Sequence, residues 1–203
     1  MTIKLVANNA ENLYGLRYLI RGTTLPNLPG TNGTDLLNHH YSTWKSYVIT
    51  AGAPYPDMIF SLAFQPMPVT IPAASQYYNP IGNTLSLSPN FGDHIWMEYD
   101  ISWTTSLEDD AAHALAMNIT ATIDAYAETT YAGVKSSNYK GGDGNRETLE
   151  EEEYNPTFLN DAMYDQTPLQ SYGRSNYEKL KAIQKSVDPE GFFPGRTGGF
   201  KYT

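Results

Sequence analysis

The fold is decided by residues 94–103, HIWMEYDISW, in which apolar and polar side chains alternate. Successive side chains of a β-strand point to opposite faces, so this stretch has one apolar face that can pack in a core and one mainly polar face. The apolar face carries Ile95, Met97, Tyr99, Ile101 and Trp103. The other face carries His94, Trp96, Glu98, Asp100 and Ser102. The alternation predicts a half-buried strand, as in an antiparallel sheet.

The flanking segments predict further strands and several helices. A period of two over residues 58–65 indicates a second strand, which the following prolines are expected to end. A short third strand is expected at residues 84–87. Apolar spacing predicts helices over 11–21, 35–44 and 107–126, with Ser106 as the N-cap of the third, and a capping box at Ser175 predicts a fourth over 175–186. The order of these elements predicts an α+β fold with an antiparallel sheet.

Composition limits the classes of function. The chain has 203 residues, which suits one domain, and its 13 basic against 22 acidic residues give a net charge of -9. That charge disfavours nucleic acid and anionic membranes as partners. The absence of cysteine excludes disulfides and thiolate chemistry. Because no apolar run reaches membrane-spanning length and the first ten residues lack a signal-peptide core, a cytoplasmic protein is expected.

The polar face of residues 94–102 is the first candidate site. A row of His, Trp, Glu and Asp is costly to bury without partners, so the face lies either in solvent or on the floor of a ligand cavity. In a cavity, Trp96 would stack on a ligand, and Glu98 would donate or accept a proton. His94 belongs to the same face. Gln65 would add an orienting amide if it lies on that face of the neighbouring strand.

A second candidate lies near the C-terminus, where Asn160, Asp161 and Tyr164 follow a proline-containing turn. No phosphate-binding loop, nucleophile elbow or zinc-protease motif occurs in the sequence. His39 and His40 are adjacent, so on a helix they point about 100° apart and cannot share a metal ion. The sequence therefore predicts no metal site. The glycine-rich and acidic segment 141–153 is expected to be a solvated loop or a short exposed helix.

Several segments occur in an order that resembles the C-terminal part of fungal FAD-linked oxidoreductases of the berberine bridge enzyme-like family. They are FSLAFQPMP (60–68), the strand 95–103, FLNDAMY (158–164), SYG (171–173), LKAI (180–183), DPEGFF (188–193) and GGFK (198–201). The resemblance covers residues 11–203. It implies that residues 1–203 form a single substrate domain with a C-terminal segment, 157–203, and an antiparallel sheet covered by helices on one face.

The family's flavin-binding domain, with its pyrophosphate loop and flavin-linking histidine, matches no part of this chain. The resemblance thus implies no cofactor held by the chain itself, and FAD only through a separate flavin-domain partner. It also places Gln65, Trp96 and Glu98 at substrate-facing sheet positions and Asn160 near the flavin ring. The tyrosine base of several plant members falls on Asp161 here, so either Asp161 or Tyr164 would take that role.

These features leave three functions open. The first is a secondary-metabolite enzyme that acts without a flavin as a cyclase, of the Diels–Alder type, or as an isomerase on a small hydrophobic metabolite. The second is the C-terminal half of a split FAD-dependent oxidoreductase. The third is a non-catalytic metabolite-binding domain. In each case the face left without the flavin domain would be exposed and apolar, which predicts a homodimer or a flavin-domain partner.

Overall fold

The computed structural model describes residues 14–131 and 156–202. Three antiparallel strands form one sheet in the order β1–β3–β2, so that the stretch 94–103 lies in the middle. The strands are β1 (Arg17–Pro26), β2 (Ile59–Met67) and β3 (His94–Trp103). The helices are α1 (Gly30–Thr50), α2 (Thr70–Tyr78), α3 (Asp109–Tyr131), α4 (Pro168–Ser171), α5 (Arg174–Val187) and α6 (Phe192–Arg196). The predicted α+β fold is confirmed, and segment 141–153 lies outside the described residues.

The apolar face of β3 forms the core, as its alternation predicts. Two clusters of buried side chains join this face to the long helices α1 and α3. Met97 and Tyr99 pack with Leu36 of α1 and Ile119 of α3, and all four are almost completely buried. Burial of a large apolar side chain contributes about 1.5–3 kcal/mol, so this face holds the sheet and the two helices together. The opposite face of the sheet remains available for the C-terminal segment.

The helix predicted over residues 11–21 is wrong, because residues from Arg17 onward belong to β1. This strand pairs with β3 along its whole length, from Arg17 opposite Trp103 to Pro26 opposite His94. Its spacing of leucines fits a helix, but it also places Leu19 on the core face of a strand, where it is buried. Pairing with the central strand outweighs the local preference. Gly22 lies inside the strand.

Residues 84–87 do not form the predicted strand. The side chain of Asn83 donates to the carbonyl of Leu87 at 2.8 Å and accepts from its N–H at 3.0 Å, which closes a turn. Ser86 has a φ of 53° within it. Helix α2 (Thr70–Tyr78) lies where no helix is predicted from the sequence. Strand β2 also continues past Pro66, which pairs with Ile95 on an edge strand, where a missing N–H removes no ladder bond.

The other predicted helices are confirmed with different ends. Helix α1 extends beyond both predicted ends, whereas α3 begins at Asp109 and continues past its predicted end to Tyr131. Thr105, rather than Ser106, caps the turn before α3 by accepting from the N–H of Leu107. Helix α5 begins at Arg174 with no side-chain cap, so the predicted capping box is wrong. None of the helices that the structure describes has the length and hydropathy needed to cross a membrane.

Candidate functional site

The candidate site is the face of the sheet opposite the helices, called here the polar face. Strand register places Gln65 of β2 directly opposite Trp96 and Gly22 of β1 directly opposite Glu98. Gln65 is therefore on the same face as Trp96, as expected. Residues 156–161 cover the β1 side of this face, whereas Gln65 on the β2 side is exposed. The face is thus half covered by the chain's own C-terminal segment and half open.

Trp96 lies under the C-terminal segment and is only 3% exposed. Its indole N–H donates to the carbonyl of Pro156 at 2.7 Å, and its ring stacks on Phe158 with centroids 4.5 Å apart. The hydroxyl of Thr24 donates to the same Pro156 carbonyl at 2.5 Å. The expected stacking of a ligand on Trp96 would require Phe158 to move, so in this arrangement the indole anchors the segment.

His94 is also buried and lies at the end of β3. Its Nδ1 is 3.3 Å from the carbonyl of Gly92, and its Nε2 has no hydrogen-bond partner among the described residues. Burial lowers the pKa of His94, an effect that Asp93 and the Gly92 carbonyl partly oppose. The ring is therefore neutral near pH 7. Its expected role in ligand binding stays a prediction.

Glu98 and Asp161 form a hydrogen-bonded carboxyl pair on the polar face. A one-turn 3-10 helix, Leu159–Asp161, brings Asp161 to the sheet, where it is 8% exposed. Burial, with smaller contributions from the charges of Asp161 and Asp100, raises the pKa of Glu98 to about 7. Burial also raises the pKa of Asp161, while the hydrogen bond from Glu98 opposes that change. Two adjacent carboxyls share one proton in this way.

Asp100 extends this pair along the strand toward Tyr18. The hydroxyl of Ser61 donates to Oδ2 of Asp100 at 2.9 Å, while Oδ1 has no partner among the described residues. Burial, followed by the charge of Asp100, raises the pKa of Tyr18 to about 12. Tyr18 remains a neutral phenol that can donate a hydrogen bond. Sequence reasoning missed this residue because it placed residues 11–21 in a helix, although Tyr18, Ile20 and Gly22 alternate with Leu19.

Asn160 and Tyr164 do not join the carboxyl pair. Asn160 is exposed beside Asp161. Tyr164 is 70% exposed, and its ring packs edge-on against His113 of α3 at 5.2 Å. Because α3 covers the opposite face of the sheet, Tyr164 lies away from Glu98. Of the two residues that the sequence resemblance suggests as a base, Asp161 lies beside Glu98 and Tyr164 does not.

The polar face does not fit the phosphates of FAD. A pyrophosphate needs backbone N–H groups or cations around it, whereas the groups here are the carboxyls of Glu98, Asp100 and Asp161. The guanidinium of Arg21, on the neighbouring strand, contacts Asp165 and Thr120. In the part of the chain that the structure describes, no group of three or more histidine or acidic side chains could hold a metal ion. The carboxyls of the polar face are instead groups that can donate or accept a proton.

Comparison with known proteins finds fungal flavoenzymes. The chain is 27% identical over 198 residues, or 97% of its length, to a protein of Arthroderma benhamiae named as an uncharacterized FAD-linked oxidoreductase. It is 26% and 30% identical, over 84% and 83% of its length, to FAD-dependent monooxygenases of Aspergillus calidoustus and Arthrobotrys oligospora. The chain spans only 36%, 29% and 28% of the length of these three proteins. No family model and no solved structure matches significantly.

Proposed function

We propose that this chain is the substrate-binding portion of a berberine bridge enzyme-like FAD-linked oxidoreductase, in which Glu98 and Asp161 transfer a proton to or from a small hydrophobic metabolite. The observation that carries the proposal is the hydrogen-bonding contact between these two carboxyl side chains, which lies next to the open half of the polar face. The similarity to FAD-linked proteins supports a role for the chain in an oxidation–reduction reaction. The flavin would be held by protein outside the described residues, and it supplies hydride acceptance when bound.

The carboxyl pair suits general acid–base chemistry near neutral pH. A group with a pKa of about 7 exists in both protonation states at that pH, so it can both accept and donate a proton. When the ionised pair acts as a base, a C–H or O–H bond of the substrate breaks and its electrons stay on the substrate. The proton moves to a carboxylate oxygen. When the pair acts as an acid, the proton moves in the opposite direction.

The open half of the face has groups that would hold such a substrate. Ala63 lies opposite Glu98 and Gln65 lies opposite Trp96, so both β2 side chains flank the pair. The Gln65 amide can orient a carbonyl or hydroxyl group, as expected from the sequence. Ile59 is 50% exposed and Tyr18 is 49% exposed, which adds apolar surface at the other end. A small, largely apolar molecule with one acidic hydrogen fits these surroundings.

A flavin-free cyclase or isomerase is the second candidate function. The observation that favours it is the acidic surroundings of the pair, which do not fit the phosphates of FAD. Proton transfer by Glu98 and Asp161 would move a double bond, or polarise a polyene for ring closure, without a change in oxidation state. Both functions need the same carboxyl pair. They differ in whether a flavin-bearing partner is required for turnover.

Hydrogen–deuterium exchange tests the proton transfer without knowledge of the natural substrate. The probes are cyclic and aryl ketones with slowly exchanging α-hydrogens, incubated with the protein in D2O and followed by NMR. We expect faster exchange of at least one probe, and a loss of about 10²-fold in Glu98→Gln and Asp161→Asn. Glu178→Gln, an exposed carboxyl on α5, is the matched control and should exchange as the unmodified chain does. Equal exchange in all four proteins would overturn the proposal.

A second arm separates the candidate functions. The chain is mixed with the flavin-binding portion of the Arthroderma benhamiae relative and passed over a sizing column. Co-elution with a yellow flavin, together with flavin reduction by a probe, supports the oxidoreductase. Product formation by the colourless chain alone supports the cyclase or isomerase. Probe binding with neither exchange nor turnover would support the non-catalytic reading, and dimerisation in the same run would support self-association.

A further inference from the structure

We propose that Gln166 is a positioning residue, whose side-chain amide clamps the outer edge of β1 at Gly22 and thereby fixes Asp161 against Glu98. Its importance for catalysis rests on the function proposed above. The clamp itself rests on a set of contacts among Gln166, Gly22 and the turn that carries Asp161. None of these contacts follows from sequence spacing, because Gly22 and Gln166 are far apart in the chain.

The amide of Gln166 contacts the backbone of Gly22 twice. Its Nε2 donates to the Gly22 carbonyl at 2.7 Å, and its Oε1 accepts from the Gly22 N–H at 3.4 Å. The same Oε1 also accepts from the N–H of Met163 at 2.9 Å. A side-chain amide has one acceptor and one donor in the arrangement of a peptide group, so it can pair with a strand as another strand would. Gln166 thus replaces a missing strand at one position.

The clamp lies at the register position of the carboxyl pair. Gly22 is directly opposite Glu98, and β1 is one of the two outer strands of the sheet that the structure describes. The N–H and the carbonyl of Gly22 both point to the outer edge of the strand, where they form hydrogen bonds with the Gln166 side chain. An unpaired edge would leave these groups without partners, which costs free energy when water is excluded. The clamp therefore joins the C-terminal segment to the residue beside Glu98.

The absence of a side chain at Gly22 lets Asp161 approach closely. A Cβ atom at this position would lie 3.2 Å from the Asp161 carbonyl oxygen and 3.6 Å from the Asp161 Cβ. Two short turns connect this contact to the clamp. The N–H of Asp161 donates to the carbonyl of Phe158 at 3.0 Å, and the N–H of Gln166 donates to the carbonyl of Met163 at 2.9 Å. Because Met163 is 4% exposed, the turn that links Asp161 to Gln166 is anchored in the core.

The neighbouring ion pair between Arg21 and Asp165 is a weaker restraint. Both side chains are partly exposed, at 14% and 22%, and solvent screening weakens an ion pair in such surroundings. Arg21 also donates to Thr120 of α3, so its side chain lies on the helix-covered side of the sheet. The Gln166 amide instead contacts the strand backbone beside Glu98. We therefore assign the positioning role to Gln166.

The test is the pKa of Glu98, measured by carboxyl ¹³C NMR titration in the full chain. In Gln166→Met, which keeps the side-chain length but removes the amide, we expect the pKa of Glu98 to fall from about 7 toward 4.5. The physical reason is that burial and the Asp161 charge both raise this pKa, and both weaken when Asp161 moves away. Gln170→Ala is the matched control, because Gln170 is exposed in the same segment. It should leave the pKa of Glu98 unchanged.

The outcomes separate this inference from the proposed function. An unchanged pKa of Glu98 in folded Gln166→Met would overturn the positioning role, whatever the exchange activity. A lowered pKa in a chain that never accelerates exchange would support the clamp and contradict the acid–base function. If Gln166→Met does not fold, Gln166→Asn provides the second test. The shorter amide cannot reach Gly22 from the same turn, so the same fall in the pKa of Glu98 is expected, and no change would overturn the inference.

Discussion

Phe158 stacks face to face on Trp96, with ring centroids 4.5 Å apart and planes inclined by 7°. This contact joins the C-terminal segment to the central strand of the sheet. The carbonyl of Pro156, two residues earlier, accepts from both Trp96 and Thr24. The hydroxyl of Tyr172 donates to the Thr157 carbonyl at 2.8 Å from the other side. The segment that places Asp161 beside Glu98 is thus fixed at its start by the stacking of Phe158 on Trp96 and at its end by the hydrogen bonds of Gln166.

Substitution Phe158→Ala should destabilise the protein by about 2 kcal/mol, since it removes a half-buried aromatic ring and its stacking contact with Trp96. Urea denaturation would measure the change in the free energy of unfolding. Tryptophan emission should shift to longer wavelength, because the indole of Trp96 becomes exposed to water. Phe193→Ala is the control, since Phe193 is 64% exposed. A tryptophan emission maximum unchanged from that of the parent protein would contradict the burial of Trp96 under Phe158.

Glu98 should make the protein less stable as the pH rises. Its pKa is about 7 in the folded state, against an ordinary value of 4.5. Between these pH values the folded protein holds more of this proton than the unfolded chain, so the stabilising contribution is present at low pH and lost on passing pH 7. We expect Glu98→Gln to become more stable relative to the parent from pH 4.5 to 7. Urea denaturation at several pH values measures this difference, and Glu178→Gln should show no such trend.

His40 should have the opposite dependence on pH. It is 0% exposed on α1, and neither ring nitrogen has a hydrogen-bond partner among the described residues. Burial lowers the pKa of His40 to about 3, so the folded state excludes a proton that the unfolded chain binds below pH 6.5. Its cost to the folded protein therefore grows as the pH falls.

Substitution His40→Leu should stabilise the protein by about 1–3 kcal/mol, because it removes two unsatisfied buried polar atoms. The gain should be larger at pH 5 than at pH 8, as measured by urea denaturation. The neighbouring His39 stacks on Tyr126 at 3.4 Å and is the control, so His39→Leu should not stabilise. A destabilised His40→Leu at both pH values would indicate that the imidazole has a partner that residues 14–131 and 156–202 do not include.

Substitution Gly22→Ala should displace Asp161, because the added methyl group would lie 3.2 Å from its carbonyl oxygen. We expect a loss of about 1–3 kcal/mol of stability through overpacking, together with a lower pKa of Glu98. NMR titration and urea denaturation on one sample would measure both. The control Gly195→Ala introduces a methyl group with nothing within 4 Å. A normal pKa of Glu98 in folded Gly22→Ala would show that Asp161 tolerates the methyl group.

The candidate site was predictable in part. Glu98 stands on the polar face because the alternation of β3 is a local pattern, and Gln65 follows from the register with β2. Asp161 was a candidate by its surroundings in the sequence, but its contact with Glu98 requires the turn at 158–166. Tyr18 was missed because its leucine neighbours also fit a helix. Trp96 was predicted as a free platform, yet its indole is covered by Phe158.

The sequence by itself determined the central strand and the class of the fold. A period of two in residues 94–103 depends only on the alternation of side chains along one strand, so it can be read without knowledge of partners. Only the tertiary structure decided that Arg17–Pro26 is a strand and that Gln166 and Asp161 meet Gly22 and Glu98. These contacts depend on the free energy of long-range pairing, which outweighs local preference and leaves no periodic pattern in the sequence.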